Sequence, residues 1–245
     1  MALFSIDRQY LDELRAWNHF AKELRLRNRY VVRDMAYFER LVDETLATEA
    51  VLPKDAVLFR ARMLDSERTS EKSPYGRMEM GAPSAAKATS GRLNPQGISC
   101  LYLADTPNTA ISEVRPFVGA VVCVATLTTL RDLRILDLSG ADVRRGRSPT
   151  MRALSRTLAR PVHQDDGLAY IATQFLAETL KSKGVDGLQY ASALQEGGRN
   201  VALFNPRSAR VDQVRVVEVR RVEYTSSDLQ NFRARKPKRR RVSES

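Results

Sequence analysis

Cysteine and histidine are scarce in this chain. Its 245 residues include only two cysteines, Cys100 and Cys123, and two histidines, His19 and His163. Neither pair stands at a metal-ligand spacing, so no metal is expected. Both cysteines fall in apolar, strand-like runs and read as buried reduced thiols, which suits a cytoplasmic protein better than a disulfide-stapled one. Long hydrophobic runs are also missing. The least polar stretch, Phe117 to Leu127, is about half of what crosses a bilayer and reads as a buried strand, so no membrane partner is expected. The opening MALFSIDRQYLDELR reaches acidic residues before any apolar run of signal-peptide length, and no secretory signal is visible. With no GxSxG, P-loop or GxGxxG, triad and Walker-type chemistry are disfavoured along with metal chemistry.

What is present is the composition of an ordinary soluble domain, 43% hydrophobic and 28% charged, in a length that fits one α/β core with a small extension. The net charge of +11 is unevenly placed: the last thirteen residues hold seven bases and one acid, a tail of +6 that leaves +5 for residues 1–232. The tail FRARKPKRRRV suits non-specific, salt-dependent contact with nucleic acid, but a disordered, solubilising tail is the favoured reading.

Apolar residues at Leu11, Leu14, Trp17, Ala21 and Leu24 predict an amphipathic helix from Ile6 to about Asn28. Met35, Phe38, Val42 and Leu46 predict a second, from about Val32 to Ala47. Pro53 ends this helical region, and AVLFRARM from Ala56 to Met63 reads as the first strand of the core. Asp65 to Ser90 reads as a long loop, Ile98 to Ala104 as a strand, Thr106 to Val114 as a short helix and Val118 to Leu127 as a buried strand. Helices are predicted at Ser148 to Ala159 and Gly167 to Lys183, the latter with Leu168, Ile171, Phe175, Leu176 and Leu180 facing one way and Gly184 as its stop. Val185 to Ala191 and Asn200 to Phe204 are strand-like, and Gln213 to Val222 alternates as a half-solvated edge strand.

Three features carry the remaining chemistry: the arginine pair Arg60 and Arg62 on one strand, a Gly/Asn/Pro-punctuated turn before the next, and Glu113 eleven residues beyond Tyr102. Arginine, tyrosine, glutamate and serine suit gripping a diphosphate, holding an aromatic ring and stabilising positive charge. Each also has a plain structural reading. The arginines suit a solvated strand face, Tyr102 a core position, and Glu113 a surface pair with Arg115 or Arg131. Arg60 and Arg62 share a strand face, so spacing alone does not choose between them.

The run GRLNPQGISCLYLADTPNTAISEVRP, Gly91 to Pro116, resembles the signature of the RES domain family. FRAR at Phe59 to Arg62 resembles the family's opening arginine strand, and GVDGLQYASALQEGGRNVALFNP, Gly184 to Pro206, its serine-bearing end. The likeness covers roughly residues 55–206, with the motifs in order. Leu93 stands where many shorter members carry tryptophan; together with the Asp65–Ser90 insertion and the helical N-terminus, this marks a longer subgroup.

The resemblance implies an α+β, ADP-ribosyltransferase-like fold: a mixed β-sheet core with flanking helices and an N-terminal helical extension. It implies a division into an extension at 1–52, a catalytic domain at 53–224 and a basic tail at 225–245. It also implies a cytoplasmic bacterial toxin, opposed by a cognate antitoxin, that breaks the nicotinamide–ribose bond of its substrate NAD as a glycohydrolase or phosphorylase. Protein ADP-ribosylation, or nucleic-acid binding through the tail, is the alternative. Carried onto this sequence, the pattern puts Arg60 and Arg92 at the dinucleotide phosphates, Tyr102 near nicotinamide, Glu113 at the reacting ribose, Ser192 on the opposite wall, and Asn200 in the strand that follows.

Overall fold

The computed structural model describes residues 7–140, 148–160, 168–224 and 226. The N-terminal helices form as the periodicity predicts, α1 over Arg8–Leu26 and α2 over Met35–Leu46. Each is opened by an aspartate, Asp7 or Asp34, whose carboxylate accepts a backbone N–H of the first turn. Trp17, Phe20 and Leu24 of α1 meet Tyr37, Phe38, Leu41 and Val42 of α2 in one core. There Phe20 and Phe38 stack with ring centroids 5.4 Å apart.

The strands are β1 (Glu49–Leu52), β2 (Val57–Met63), β3 (Leu101–Ala104), β4 (Val121–Thr129), β5 (Leu133–Asp137), β6 (Gly187–Ala191), β7 (Arg199–Leu203) and β8 (Ala209–Glu218). They form one eight-stranded mixed sheet in the order β1-β5-β6-β7-β3-β2-β4-β8, parallel between β5 and β6 and antiparallel elsewhere. Helices α3 (Ser66–Ser70), α4 (Pro107–Glu113), α5 (Pro149–Ala159) and α6 (Ile171–Ser182) complete the α+β fold. The sheet is divided in the middle, because β2 and β3 share a single paired position, Phe59 with Ala104. On one side of that division α1, α2, α5 and α6 bury Leu136, Leu188, Tyr190 and Ala202. On the other, Ala110 and Ile111 of α4 pack over Ala61, Ala104, Val122 and Val124. The reverse face of the sheet buries Leu58, Leu103, Ala125, Leu127 and Val201.

Several expectations change in detail. Strand β1 lies in the segment assigned to the extension, yet it is hydrogen-bonded to β5 over four residues. The sheet therefore begins before residue 53, and α1 and α2 pack on the main domain through a core shared with α5 and α6. Neither β1 nor β5 stands out in the sequence, since four or five residues are too few to establish a period. The Asp65–Ser90 segment holds α3 and a short helical turn at Ala85–Lys87. It is anchored by Met80, which is fully buried, and by Tyr75, over whose ring Arg62 and Arg68 both sit. Ile98 precedes β3 in a turn, and Leu168 is 43% exposed rather than facing the core with Ile171. Both cysteines are buried and free, as expected. The expected basic tail lies outside the described residues, apart from Ser226. Among the described residues no helix is long and apolar enough to cross a membrane.

Candidate active site

Pairing register sets the floor of the site. Asn200 in β7 lies opposite Ala104 in β3 on one side and Tyr190 in β6 on the other, so the side chains of Asn200, Tyr190 and Tyr102 rise from one face. Ser192 follows β6 immediately, in the same alternation. Its hydroxyl accepts the N–H groups of Leu194 and Gln195, each at 3.1 Å, and so closes the turn to β7.

Helix α4 brings the carboxylate to this floor. Thr106 caps it, Pro107 occupies its first turn, and it ends at Glu113 after only seven residues. The 192–198 turn reaches α4 because residue 198 is glycine: a Cβ there would lie 2.6 Å from Thr109 Oγ1. Ser112 and Gln195 add a 3.2 Å hydrogen bond between the helix and the turn. As a result Ser192 Oγ donates to Glu113 Oε1 at 2.7 Å, and Asn200 Nδ2 donates to the same oxygen at 2.6 Å. One carboxylate oxygen is thus held from two strands, and Oε2 has no hydrogen-bond partner among the described residues. Asn200 is buried while Glu113 stays exposed, an arrangement that fixes the carboxylate at the surface from a buried anchor. The plain structural alternative for Glu113, a surface pair with Arg115 or Arg131, does not form among the described residues; Arg131 pairs with Asp186.

The GRLN turn is built from inside. Asn94 Nδ2 donates to the carbonyls of Thr89, Pro95 and Ile98, and Tyr102 Oη donates to Asn94 Oδ1 at 2.7 Å while accepting the Leu93 N–H. A Cβ on Gly91 would lie 2.4 Å from Asn94 Oδ1, so the glycine is required. Gln174 of α6 donates to Ser90 Oγ and to the carbonyls of Gly91 and Asn94, locking the turn to the helix. Tyr102 is therefore part of the scaffold, and burial holds its hydroxyl well above the usual tyrosine range. Arg92 projects from this turn. Its guanidinium donates to the carbonyls of Thr157 and Arg160 at the end of α5, and it lies over the rings of Tyr170, at 5.3 Å, and Tyr190, at 5.8 Å.

Arg60 is placed differently from the expected common pocket. It pairs in register with Ala125 and leaves β2 on the face of Leu58, whereas Phe59 and Ala61 face α4. Strict alternation along the strand is the reason, and Arg60 makes no hydrogen bond to Glu113, Ser192 or Asn200. Its Nη1 is enclosed without any hydrogen-bond partner. Burial, with a smaller push from Arg62, lowers its pKa to about 10. Arg62, on the same face, donates to the Glu79 carbonyl at 2.6 Å and stacks on Tyr75, so of the two arginines Arg60 is the one without a hydrogen-bond partner among the described residues.

The structure thus assembles Glu113, Ser192 and Asn200 directly, sets Tyr102 and Arg92 beside them with their polar atoms already bonded, and leaves Arg60 across the strand. Sequence reasoning missed Tyr170, Tyr190, Gln174 and Gly198, although Tyr190 and Gly198 stand inside the serine-bearing motif. A separate cavity of about 400 Å³ lies at the far end of α6, lined by Leu93, Cys100, Ala177, Lys181 and Phe204 among others, and does not include Glu113. Among the described residues no group of three or more His, Cys, Asp or Glu side chains is gathered to hold a metal.

Comparison with known proteins bears on these residues. No curated protein matches the chain. A solved structure with a similar chain is "Crystal structure of the M.tuberculosis MbcT-MbcA toxin-antitoxin complex", 18% identical with a TM-score of 0.44, the match covering 74% of this chain and 93% of that one. The family model for the RES domain matches residues 36–227, from within α2 through the whole sheet. That span includes Glu113, Ser192 and Asn200 and most of the chain: the protein belongs to the RES domain family.

Proposed function

We propose that this RES protein cleaves the bond between nicotinamide and ribose in NAD, as a glycohydrolase or phosphorylase, and that it acts as a bacterial toxin in the cytoplasm, held in check by a cognate antitoxin. The observation that carries the chemistry is the Glu113 carboxylate, fixed through Oε1 by Ser192 and Asn200 with Oε2 free. As nicotinamide leaves, positive charge develops at the anomeric carbon, and a preorganised carboxylate beside it stabilises that charge without reorganising. Ser192 acts through Glu113: its proton is given to the carboxylate and its lone pairs to two backbone amides, and no histidine among the described residues partners it, so it is a positioning residue rather than a nucleophile. Asn200 does the same from the adjoining strand.

Arg60 is the proposed diphosphate anchor, since an enclosed guanidinium nitrogen without a partner is suited to an anionic oxygen brought by a ligand. Arg92 and Tyr102 would line the Glu113 side of the sheet, Arg92 with the donor capacity left after its bonds to α5 and Tyr102 with its ring. Purified protein incubated with NAD should release nicotinamide, and Glu113→Gln should lower the rate by about two to three orders of magnitude. If wild type and variant both leave NAD intact, the proposal fails. Product mass identifies the acceptor, ADP-ribose for water or its 1″-phosphate for inorganic phosphate. Induction in a bacterium, with intracellular NAD and growth followed together, tests the toxin reading.

A further inference from the structure

The floor of the site holds a phenol that the motif residues do not account for. Tyr190 sits directly across from Asn200, on the same face, and is only 5% exposed. Its hydroxyl makes no hydrogen bond to any described residue. The guanidinium of Arg92 lies 5.8 Å from its ring centroid, and its hydroxyl feels the charges of Arg92 and Glu113, with Cys100, Tyr102 and Tyr170 also close by. The polar groups around it are already engaged. Ser192 and Asn200 bond Glu113, Tyr102 bonds Asn94 and Leu93, and Arg92 bonds two carbonyls of α5. The side chain as a whole is almost wholly buried, and a hydroxyl without a described protein partner, on the face of Asn200 and within the field of Glu113, is a place for a partner that arrives from outside.

We infer that Tyr190 is a substrate-binding residue, whose hydroxyl donates a hydrogen bond to the nicotinamide-bearing ribose of the dinucleotide. This rests on the NAD reading above and extends it to a residue outside the arginine, glutamate and serine set. The ring, fixed between Arg92 and the strand floor, sets the position of the hydroxyl, and its burial holds the proton on the oxygen throughout the neutral range, so that it acts as a donor.

Tyr190→Phe removes the oxygen and keeps the ring in its core. The KM for NAD should rise about tenfold, the equivalent of one hydrogen bond of about 1.4 kcal/mol, with kcat changed less than about threefold and the melting temperature unaltered. In the inactive Glu113→Gln background, the same change should weaken ADP-ribose, which keeps that ribose, about tenfold and leave AMP, which lacks it, unaffected. A structural role would instead lower the melting temperature or weaken AMP equally. Unchanged KM and unchanged ADP-ribose affinity, or loss of AMP binding in parallel, would overturn the inference while an active wild-type enzyme left the NAD reading standing. A wild type that releases no nicotinamide would sink that reading first.

Discussion

Residue 198 decides whether the serine turn can touch α4, and substitution there tests the construction of the site apart from its chemistry. In Gly198→Ala the new Cβ would lie 2.6 Å from Thr109 Oγ1 and 2.9 Å from Thr109 Cγ2, both inside the closest approach that carbon tolerates. Residue 198 has no positive φ, so the conflict is steric and not conformational. Overpacking of this kind costs about 1–3 kcal/mol, which for a chain of this size lowers the melting temperature by roughly 2–12 °C. The turn and α4 must part by several tenths of an ångström, and the 2.7 Å bond from Ser192 to Glu113 spans that gap. A displacement approaching 1 Å at a catalytic group costs about a hundredfold, so nicotinamide release should fall by about one to two orders of magnitude. Thr109→Ala removes both obstructing atoms and sacrifices hydrogen bonds to Asp105 and Thr106, a loss of about 1–3 kcal/mol. The double variant should therefore behave like Thr109→Ala alone, recovering most of the activity that Gly198→Ala loses. A Gly198→Ala protein with wild-type melting and turnover, or a double variant no better than the single one, would refute the reasoning.

Arg60→Met should separate stability from function. Its pKa, lowered from the ordinary arginine range to about 10, means that folding disfavours the charged form, a penalty fully present below pH 10 and relieved only as pH rises above it. Removing that charge should raise stability at neutral pH, with roughly 3 kcal/mol as the upper bound, while the KM for NAD increases; a fall in melting temperature would contradict this. Asp186 contributes in the opposite sense. Burial raises its pKa, but the hydrogen bonds from Arg131 and the Arg134 N–H prevail and hold it below 3.8. Asp186→Asn should therefore cost about 1–3 kcal/mol in urea melts at pH 7, and the gap should close as pH falls below 3.8 through the folded value. Leu188→Ala, at a fully buried position in the core between the sheet and its helices, should cost about 2–5 kcal/mol by thermal melting. Deleting residues 233–245 should leave NAD turnover unchanged, and a fall in turnover would assign the tail a part in the site.

The helices and the long buried strands were legible in the sequence because their periods run over many residues. The apolar stripe of α1 and the run that becomes β4 each contain enough repeats to be read. Strands β1 and β5 were not legible, since a four- or five-residue strand carries about two alternations and its pairing depends on partners far along the chain. At the site, Glu113, Ser192 and Asn200 were readable as motif members, and their convergence is the structure's own contribution, made by the register of β6 with β7 and by a glycine at 198. Tyr102 and Arg92 were readable as positions but not for what they bond, because hydrogen bonds to the turn and to the end of α5 are tertiary facts. Gln174, which ties the turn to α6 by three hydrogen bonds, gives no signal in sequence beyond a polar residue on an apolar helix face.

The placement of Arg60 gives α4 a second task. Strands β2 and β3 share one paired position, so sheet hydrogen bonding does little to fix the half that carries Arg60 relative to the half that carries Asn200 and Ser192. Helix α4 lies over that junction: Ala110 and Ile111 pack against Ala61 of β2, Ala104 of β3 and both Val122 and Val124 of β4. At its other end the same seven-residue helix presents Glu113 to Ser192 and Asn200. One short element thus bridges the two halves and carries the carboxylate. The small residues at its base, Ala61, Ala104 and Ala110, let its backbone approach the sheet closely enough to do both. The geometry between a cation on one half-sheet and a carboxylate over the other is consequently set by side-chain packing under α4, where a change of one methyl group is felt, rather than by the strand ladder.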